Sequence, residues 1–438
     1  LERTPEVQRL IVAVASLQEK VAAALQDESI SSDALDSVKK QWWEKLRIDL
    51  PDLSLSAYSE DKYAHFLLEE LPVHLADYGI FVKTLIVPIL DKEHDTIPLI
   101  EPIVGLYEIE RKTNSERRPE GTPLMVDRLD VRGLVAEQAT SRLTSMMPEL
   151  PPGQTFYQNV IINSDPVLQA ETDQEMSGVK RVYDSYNLKD LSPADIDHLA
   201  VTNRNVSAVD LAILKTLKLL IEQGTMRTGD DERIMDHEAG HVAYHQSGKT
   251  DRFRPAVTQS AKEVIRAKIN SAVHDELVAN IAELRGSRNK LSSLHYTLSL
   301  STQDTAADPQ YALSARWLVQ TMIEQIKTNP DHFGINQSTA GGLSVEEQIV
   351  LALPKLCDHT VLLNELMDAV KARYDVECME LDFGAEGGEA MLPSLKLGER
   401  ITAQRDQLTK RALGGAMLAT GLHLLAQRIF GPQKPKAN

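Results

Sequence analysis

Three residues in one short segment carry side chains that bind metal ions and move protons: His237, Glu238 and His241. The segment reads His-Glu-Ala-Gly-His. In a helix, residues four positions apart lie on the same face, one turn above the other. Both imidazoles would therefore point toward one metal ion, and Glu238 would reach a water molecule bound to it. Two surface histidines on an amphipathic helix are the alternative, but that arrangement has no use for a glutamate between them.

The residues around this motif predict a helix that begins near Asp230 and ends near Gly248. At about 100° per residue, the two histidines fall on one side of this helix. The opposite side is apolar and consists of Met235, Ala239 and Val242. The apolar side is therefore expected to pack, while Gly240, beside the histidines, leaves room for another backbone or a substrate.

A catalytic zinc ion needs a third protein ligand and leaves its fourth position to water. The leading candidate is Glu276, on a second predicted helix over residues 259–285. Its neighbours within about 80° around that helix are apolar: Ile265, Ile269, Ala272, Val273, Ala279 and Leu284. A carboxylate buried in such a stripe must find a cation or hydrogen-bond donors, and zinc is a natural partner. An ordinary buried ion pair with an arginine is the alternative.

Four other residues on the two predicted helices carry side chains that bind metal ions. Glu283 lies on the same stripe, two turns beyond Glu276, and stays a rival third ligand. His274 and Asp275 fall off the stripe, so neither is predicted to face the metal. His245 continues the histidine face but lies too far along the axis, so we expect it around the ligands or at the surface.

The pattern HExxH, followed on the next long helix by Glu-x-x-Ala-Asn, resembles the gluzincin metallopeptidases. It is similar to the bacterial stress-response and anti-repressor peptidases, whose motif reads HExGH…ExxAN. The resemblance covers residues 230–286 only. It implies that zinc is held by His237, His241 and Glu276. It also implies that Glu238 is the general base and that Asn280 orients a ligand imidazole.

Motif spacing leaves the donor that would stabilise the transition state open. The candidates are Tyr244, His295, Tyr296 and Tyr311. The motif wording also resembles the AAA-type membrane proteases, but the chain contains no ATPase motif.

The elements that must position this site fall into three regions. Residues 1–78 predict helices: a first one from the apolar spacing between Val7 and Val21, and two more over 32–46 and 59–71. Residues 79–305 form the predicted catalytic domain, with a sheet in 79–165 and the metal-binding helices in 230–286. Residues 306–438 predict a C-terminal helical domain.

Within the predicted sheet region, three segments read as strands: 80–87, 99–110 and 156–162. Residues 114–121 predict a turn, and residues 131–147 predict a helix. Further on, Ser207 is expected to cap a helix that ends at Gly224, with Asp210 completing the cap.

Composition restricts the partners. The net charge of −17 argues against binding to nucleic-acid phosphates or to an anionic membrane surface. Cys357 and Cys378 are the only cysteines, so we expect reduced thiols and no disulfide framework. The apolar run over 416–430 is too short to span a bilayer, so a packed helix and no membrane insertion are expected. With no secretory signal at the start of the chain, a cytoplasmic location is predicted.

Together these features predict an α+β fold, predominantly α, with a zincin-like core, a small mixed sheet and helical regions on both sides. The predicted function is zinc-dependent hydrolysis of peptide bonds in a peptide or protein substrate, with Glu238 as general base. The alternative is a non-catalytic, metal-stabilised interaction or scaffold protein. The sequence does not specify an oligomeric state.

Overall fold

The computed structural model describes most of the chain, and the described residues fold into helices and one sheet. They are 3–26, 32–91, 96–119, 121, 123–139, 153–156, 159–164, 177, 179–181, 183–203, 206–225, 230–248, 261–303, 309–335, 342–378, 380–383 and 427. The helices are α1 (Pro5–Gln26), α2 (Ser32–Asp49), α3 (Glu60–His65), α4 (Leu71–Ala76), α5 (Ala136–Ala139), α6 (Pro193–Thr202), α7 (Ala208–Gln223), α8 (Asp230–Gln246), α9 (Ala261–Gly286), α10 (Lys290–Ser301), α11 (Pro309–Thr328), α12 (Val345–Leu356) and α13 (Thr360–Glu377). A π-helical turn, Phe66–Glu70, joins α3 to α4, and 3-10 turns lie at Pro51–Leu53 and Leu188–Asp190.

The strands are β1 (Ile80–Asp91), β2 (Thr96–Arg117), β3 (Leu124–Leu134), β4 (Gly153–Phe156) and β5 (Asn159–Asn163). They form one five-stranded sheet in the order β1-β2-β3-β5-β4. Neighbouring strands are antiparallel except β3 and β5, which are parallel. The sheet is therefore mixed, and β4 lies at one end of it. The predicted α+β class, predominantly α with a small mixed sheet, is confirmed.

Helices cover both faces of the sheet. The side chains of β5 alternate between the two faces, as the pleat of a strand requires. Ile161 shares a core with α1, α2 and α4, whereas Val160 and Ile162 pack against α8. The part of α8 that meets the sheet is the predicted apolar side, which is confirmed: Met235, Ala239 and Val242.

A third core lies beyond α8 and joins the remaining helices. It draws apolar side chains from α6, α7 and α9 to α13, among them Leu211, Leu277, Leu318 and Met367. The helix α9 therefore has one side in this helical core and another side against α8. The predicted division into three sequence regions stays a prediction.

The helix predictions agree with the structure where caps or periodicity are strong. Ser207 accepts a hydrogen bond from the backbone of Asp210, and Gly224 ends α7 with a φ of 64°. The motif helix was expected from about 230 to 248 and is Asp230–Gln246. The following helix is Ala261–Gly286, so its end near 285 is confirmed. The predicted helix within 416–430 lies outside the described residues.

Two predictions in the sheet region are wrong in part. Of the helix predicted over 131–147, residues 136–139 are helical, and residues 140–147 lie outside the described residues. The predicted turn over 114–121 begins inside β2, which continues to Arg117 because polar side chains hold it to β3. Asn114 donates to Asp127 at 2.9 Å, and Lys112 lies 3.0 Å from the same carboxylate. Residues 131–134, predicted as helix, belong to β3, where Val131 is buried and pairs with Asn163 of β5. Polar cross-strand pairs carry no apolar period, so the sequence pattern did not reveal this strand.

The predicted strand over 156–162 is divided in two. Phe156 ends β4 and Asn159 begins β5, and the two residues are paired across the antiparallel ladder. The antiparallel pairing with β5 leaves β4 at the end of the described sheet.

The described helices include none that is long and apolar enough to cross a membrane. Cys357 and Cys378 are both free, and Cys378 is buried.

The crossing of α8 and α9 is close because Gly240 has no side chain. A Cβ atom at that position would lie 2.8 Å from Cα of Ala279 and 2.9 Å from Cβ of Ala282. These distances are shorter than van der Waals contact, and one of them involves backbone that cannot turn away. Gly240 therefore makes room for the second helix, one of the two roles expected from the sequence.

Replacing Gly240 with alanine should push the two helices apart and destabilise the protein. At an ordinary helical position alanine is more stable than glycine by roughly 0.5–1 kcal/mol. For Gly240→Ala we expect the opposite sign, a loss of about 1–3 kcal/mol in the free energy of unfolding. Denaturant unfolding measures it, with Ala243→Gly on the same helix as the reference for ordinary propensity. A Gly240→Ala protein more stable than wild type would contradict this crossing.

Candidate metal centre

The two motif histidines of α8 are buried and in contact with each other. Nε2 of His237 and Nε2 of His241 lie 3.2 Å apart, and their rings are inclined by 83°. Both residues are 7 % exposed. Two nitrogens bound to one tetrahedral zinc ion at ~2.0–2.1 Å would lie about 3.3 Å apart. The helical spacing alone thus places two ring nitrogens at the separation that a shared zinc ion requires.

Glu276 of α9 brings a carboxylate to the same nitrogens. Its Oε2 lies 3.3 Å from Nε2 of His237, and its Oε1 lies 3.8 Å from Nε2 of His241. Oε2 is buried and has no hydrogen-bond partner. Because an unpaired buried carboxylate oxygen is costly, this atom is suited to a cation between it and the rings. The structure therefore brings the three predicted ligands, His237, His241 and Glu276, to one point.

Glu238 also lies at the site. Ligand atoms of His237, Glu238 and His241 all lie within 4.8 Å of one another, and all three residues are buried. The carboxylate of Glu238 accepts a hydrogen bond of 2.7 Å from the hydroxyl of Thr155, in β4. One helical turn therefore supplies both the imidazoles and an acidic group close enough to exchange a proton with a bound water.

The outer nitrogens of both rings face further carboxylates. Nδ1 of His237 lies 3.0 Å from Oε2 of Glu283, and Nδ1 of His241 lies 3.0 Å from Oδ1 of Asp275. Negative charge at Nδ1 favours a proton there, so that Nε2 keeps its lone pair. The two Nε2 atoms lie at hydrogen-bond distance from each other, so a proton or a metal ion between them would be shared by both rings.

Asn280 faces α11, and its role in orienting a ligand imidazole stays a prediction. Its amide nitrogen donates to Oγ of Ser314 in α11, 3.3 Å away, and Glu283 and Asp275 lie where an orienting residue would be. The reason is the geometry of the crossing. One turn beyond Glu276 the facing side of α9 is filled by the close approach of Gly240, so Asn280 points toward α11 instead. Two turns along, the longer Glu283 side chain reaches back to His237.

Asp275, predicted to lie away from the site, reaches the outer edge of His241 from the flank of α9. It also lies 3.2 Å from Nε2 of His245, the side chain of which is about half exposed. His245 therefore lies beyond the ligand rings, as expected from its position along the helix. Glu283, weighed as a rival ligand, lies behind His237 and not between the two Nε2 atoms.

The acidic surroundings change how the rings hold protons. Burial alone would lower the pKa of His237, but the adjacent carboxylates of Glu276 and Glu283 outweigh it and raise the pKa to about 10. Burial likewise opposes protonation of His241, and Asp275 and Glu276 raise its pKa to about 9. Without a metal ion, protons are therefore the cations that balance this cluster near neutral pH.

Arginines fix the helix that carries the histidines. Arg117, at the end of β2, lies 3.1 Å from Asp236 and 2.7 Å from Glu232 of α8. Arg233 lies 3.5 Å from Oε2 of Glu283 and stacks on the ring of Tyr296, with 3.9 Å to its centroid. The sheet and α10 thus hold α8 on both sides of its histidine face.

The candidates for a transition-state donor are engaged in other contacts. Nδ1 of His295 lies 2.8 Å from the hydroxyl of Thr216, and burial lowers the pKa of His295 to about 4. Tyr296 lies under Arg233, and Tyr244 lies close enough to Tyr374 of α13 to contribute to the raised pKa of Tyr374, which comes mainly from burial. The fourth candidate, Tyr311, lies in α11. The identity of such a donor stays open.

His274, which the sequence pattern placed away from the metal, lies in a separate buried network. Its Nδ1 is 3.0 Å from the hydroxyl of Tyr374, and its Nε2 is 3.2 Å from the carbonyl of Leu381. Burial lowers the pKa of His274 to about 4, so it is a neutral core residue.

Comparisons of the chain with protein-family models, with curated proteins and with solved structures gave no match. The resemblance to gluzincin peptidases therefore rests on the motif residues alone.

The metal-free protein should lose stability as the pH rises through about 9 to 10. The folded-state pKa values of His237 and His241, about 10 and about 9, exceed the ordinary value of 6.5. Proton binding therefore stabilises the fold fully below pH 6.5, and this contribution disappears as the rings deprotonate. Chemical unfolding of the chelator-treated protein at pH 6.5, 8 and 10 measures it.

The matched control is the double variant His237→Asn and His241→Asn, which should lack this part of the pH dependence. Equal slopes in the two proteins would show that the rings are not the groups responsible.

Glu283 should matter for metal affinity, and Asn280 should not. Glu283→Gln removes the charge behind His237, and loss of such an orienting group weakens metal binding by about 10- to 100-fold. Asn280→Ala should leave zinc affinity within about threefold, because its amide contacts Ser314. Competition titration with a chromophoric chelator gives both affinities. A larger effect from Asn280→Ala would support the role that the motif resemblance implies.

Proposed function

We propose that this protein is a zinc-dependent peptidase whose metal is held by His237, His241 and Glu276. The proposal rests on the convergence of two Nε2 atoms, 3.2 Å apart, with Oε2 of Glu276, which has no hydrogen-bond partner. Behind each ring, the Nδ1 atom contacts a further carboxylate, that of Glu283 or Asp275. Two neutral imidazoles and one carboxylate are the ligand set of many catalytic zinc sites.

The charge around the rings supports a bound dication. Four carboxylates lie close to the two imidazoles: those of Glu238, Asp275, Glu276 and Glu283. One arginine, Arg233, lies 3.5 Å from Glu283. A buried excess of negative charge is stable only with added positive charge, which protons supply in part and Zn²⁺ would supply more completely.

When bound, zinc would polarise a substrate carbonyl and lower the pKa of a water molecule toward about 7. Glu238 lies close enough to both imidazoles to take a proton from that water and then deliver it to the leaving amine. Glu283 and Asp275 keep the proton on Nδ1 of each ring, so that both Nε2 atoms stay available. The chain thus contains a group for each proton transfer that peptide hydrolysis needs.

The edge of the sheet supports a peptide substrate. The strand β4 lies at the end of the described sheet and packs on α8, and its Thr155 touches Glu238. An extended peptide that added to β4 as a further strand would pass next to the motif helix. We therefore propose an extended segment of a peptide or protein as substrate. We also propose that the protein is cytoplasmic and that nucleic acid is not among its partners.

One observation favours a second function. Because Glu238 lies within 4.8 Å of both imidazoles, it could serve as a fourth ligand beside Glu276. A zinc ion with four protein ligands is closed to substrate and stabilises structure. The second candidate is therefore a metal-stabilised scaffold without catalysis.

Substitution of Glu238 distinguishes the two functions. For a peptidase, Glu238→Gln should keep about one zinc ion per chain and lower kcat/KM by at least about a hundredfold. Glu276→Ala should lose most of the zinc, because it removes a ligand. Metal analysis and cleavage of a denatured protein mixture, followed by mass spectrometry, measure both effects.

Glu232→Gln is the matched control, since Glu232 lies on the same helix but contacts Arg117. It should leave zinc content and cleavage within about twofold of wild type. Zinc bound to a wild-type protein that cleaves no peptide would favour the scaffold, as would a loss of zinc in Glu238→Gln.

A further inference from the structure

Thr155 connects the edge strand of the sheet to the acidic residue of the motif. Its hydroxyl lies 2.7 Å from Oε2 of Glu238 and 3.0 Å from the main-chain carbonyl oxygen of the same residue. Neither the motif nor any predicted strand pattern singled out Thr155. Its place in the structure comes from the antiparallel pairing of β4 with β5, where Thr155 lies opposite Val160.

The hydroxyl has one proton and two acceptors, so it donates to only one of them at a time. Donation to Oε2 fixes the carboxylate against the sheet. Donation to the carbonyl releases Oε2 while the strand stays attached to the helix. A hydrogen bond to a charged carboxylate is stronger than one to a neutral carbonyl, so the first arrangement is favoured when Glu238 is ionised.

We propose that Thr155 is a positioning residue that holds the Glu238 carboxylate for proton transfer and couples its position to the edge strand. This inference rests on the proposed peptidase function. A peptide that added to β4 would shift the strand that carries the hydroxyl and, with it, the carboxylate. Substrate binding and placement of the base would then be linked through one side chain.

A structural role alone would not need this arrangement. The backbone of β4 is already held by its ladder with β5, and α8 is already held by Arg117 and by its apolar side. Thr297 shows an ordinary structural hydroxyl for comparison. It donates to the carbonyl of Ser293 at 2.9 Å, within its own helix, and contacts no carboxylate.

A double-mutant cycle on the full-length, metal-free protein tests the contact without using activity. It compares unfolding of wild type, Thr155→Val, Glu238→Ala and the double variant. We expect the two substitutions to be non-additive by about tenfold in the unfolding equilibrium constant, the usual size for a hydrogen bond to a charged group. Thr155→Ser keeps the hydroxyl and should preserve the coupling, whereas Thr297→Val should be additive with Glu238→Ala.

The zinc-loaded protein provides the second measurement. Thr155→Val should lower kcat by about tenfold to a hundredfold, with KM and zinc content within about twofold of wild type. Thr155→Ser should restore kcat. A purely structural residue would instead change stability or metal content and would not separate kcat from KM.

Coupling below about twofold in the cycle would overturn the inference, as would a serine variant no better than valine. An active enzyme in which Thr155→Val keeps full kcat would overturn it too. A wild-type protein that cleaves nothing would refute the peptidase function instead, and the cycle would still decide whether Thr155 holds Glu238.

Discussion

The close crossing of two helices is the constraint on which the site depends. Gly240 lets α8 approach the backbone of α9 so closely that no side chain fits between them. At this separation, His237 and His241 on one helix meet Glu276 on the other without any loop in between. Since both helices are held by packed cores on their far sides, the ligand atoms are placed by rigid elements. Such placement suits a metal site, because ligand geometry must be kept to within fractions of an ångström.

The sheet supports the site from the other side of α8. Its inner strands supply the apolar residues that pack under the helix, and the end of β2 supplies Arg117, which binds Asp236 one residue before His237. Its edge strand supplies Thr155. Burial raises the pKa of Asp236 to about 6, and the guanidinium of Arg117 opposes that rise. The sheet thus contributes charge balance, packing and a hydroxyl, and each comes from a different strand.

The sequence predicted the features that depend on residues within one helix and missed those that depend on contacts between two elements. Helical period alone predicted the apolar side of α8, the shared face of the two histidines and the inward position of Glu276. The orienting residues depend on how two helices cross, which no single-helix pattern contains. Asn280 was therefore assigned by resemblance and found at Ser314, while Glu283, on the same stripe, lies behind His237.

Strands held by polar pairs were the other part that sequence could not predict. In the outer parts of β2 and β3, the side chains of Asn114 and Lys112 contact the carboxylate of Asp127. These polar residues form no pattern of alternating apolar positions. Thr155 was missed for a related reason. Its strand, β4, consists of Gly153–Phe156, too short for a period to be visible, and its importance comes from a residue distant in sequence. Short edge strands therefore need the three-dimensional structure before any function can be assigned to them.

Charges within the cluster balance one another in part. Protons on the two rings offset part of the negative charge of Glu276, Glu283 and Asp275, and these carboxylates in turn raise the pKa of both rings. Burial would raise the pKa of Asp275, yet the adjacent imidazoles hold it well below its usual range, so this residue stays ionised. Binding of the proposed zinc ion would then exchange protons for a dication within this cluster. Because the same carboxylates would stabilise both the protonated rings and a bound dication, protons would compete with the proposed zinc ion for the two rings.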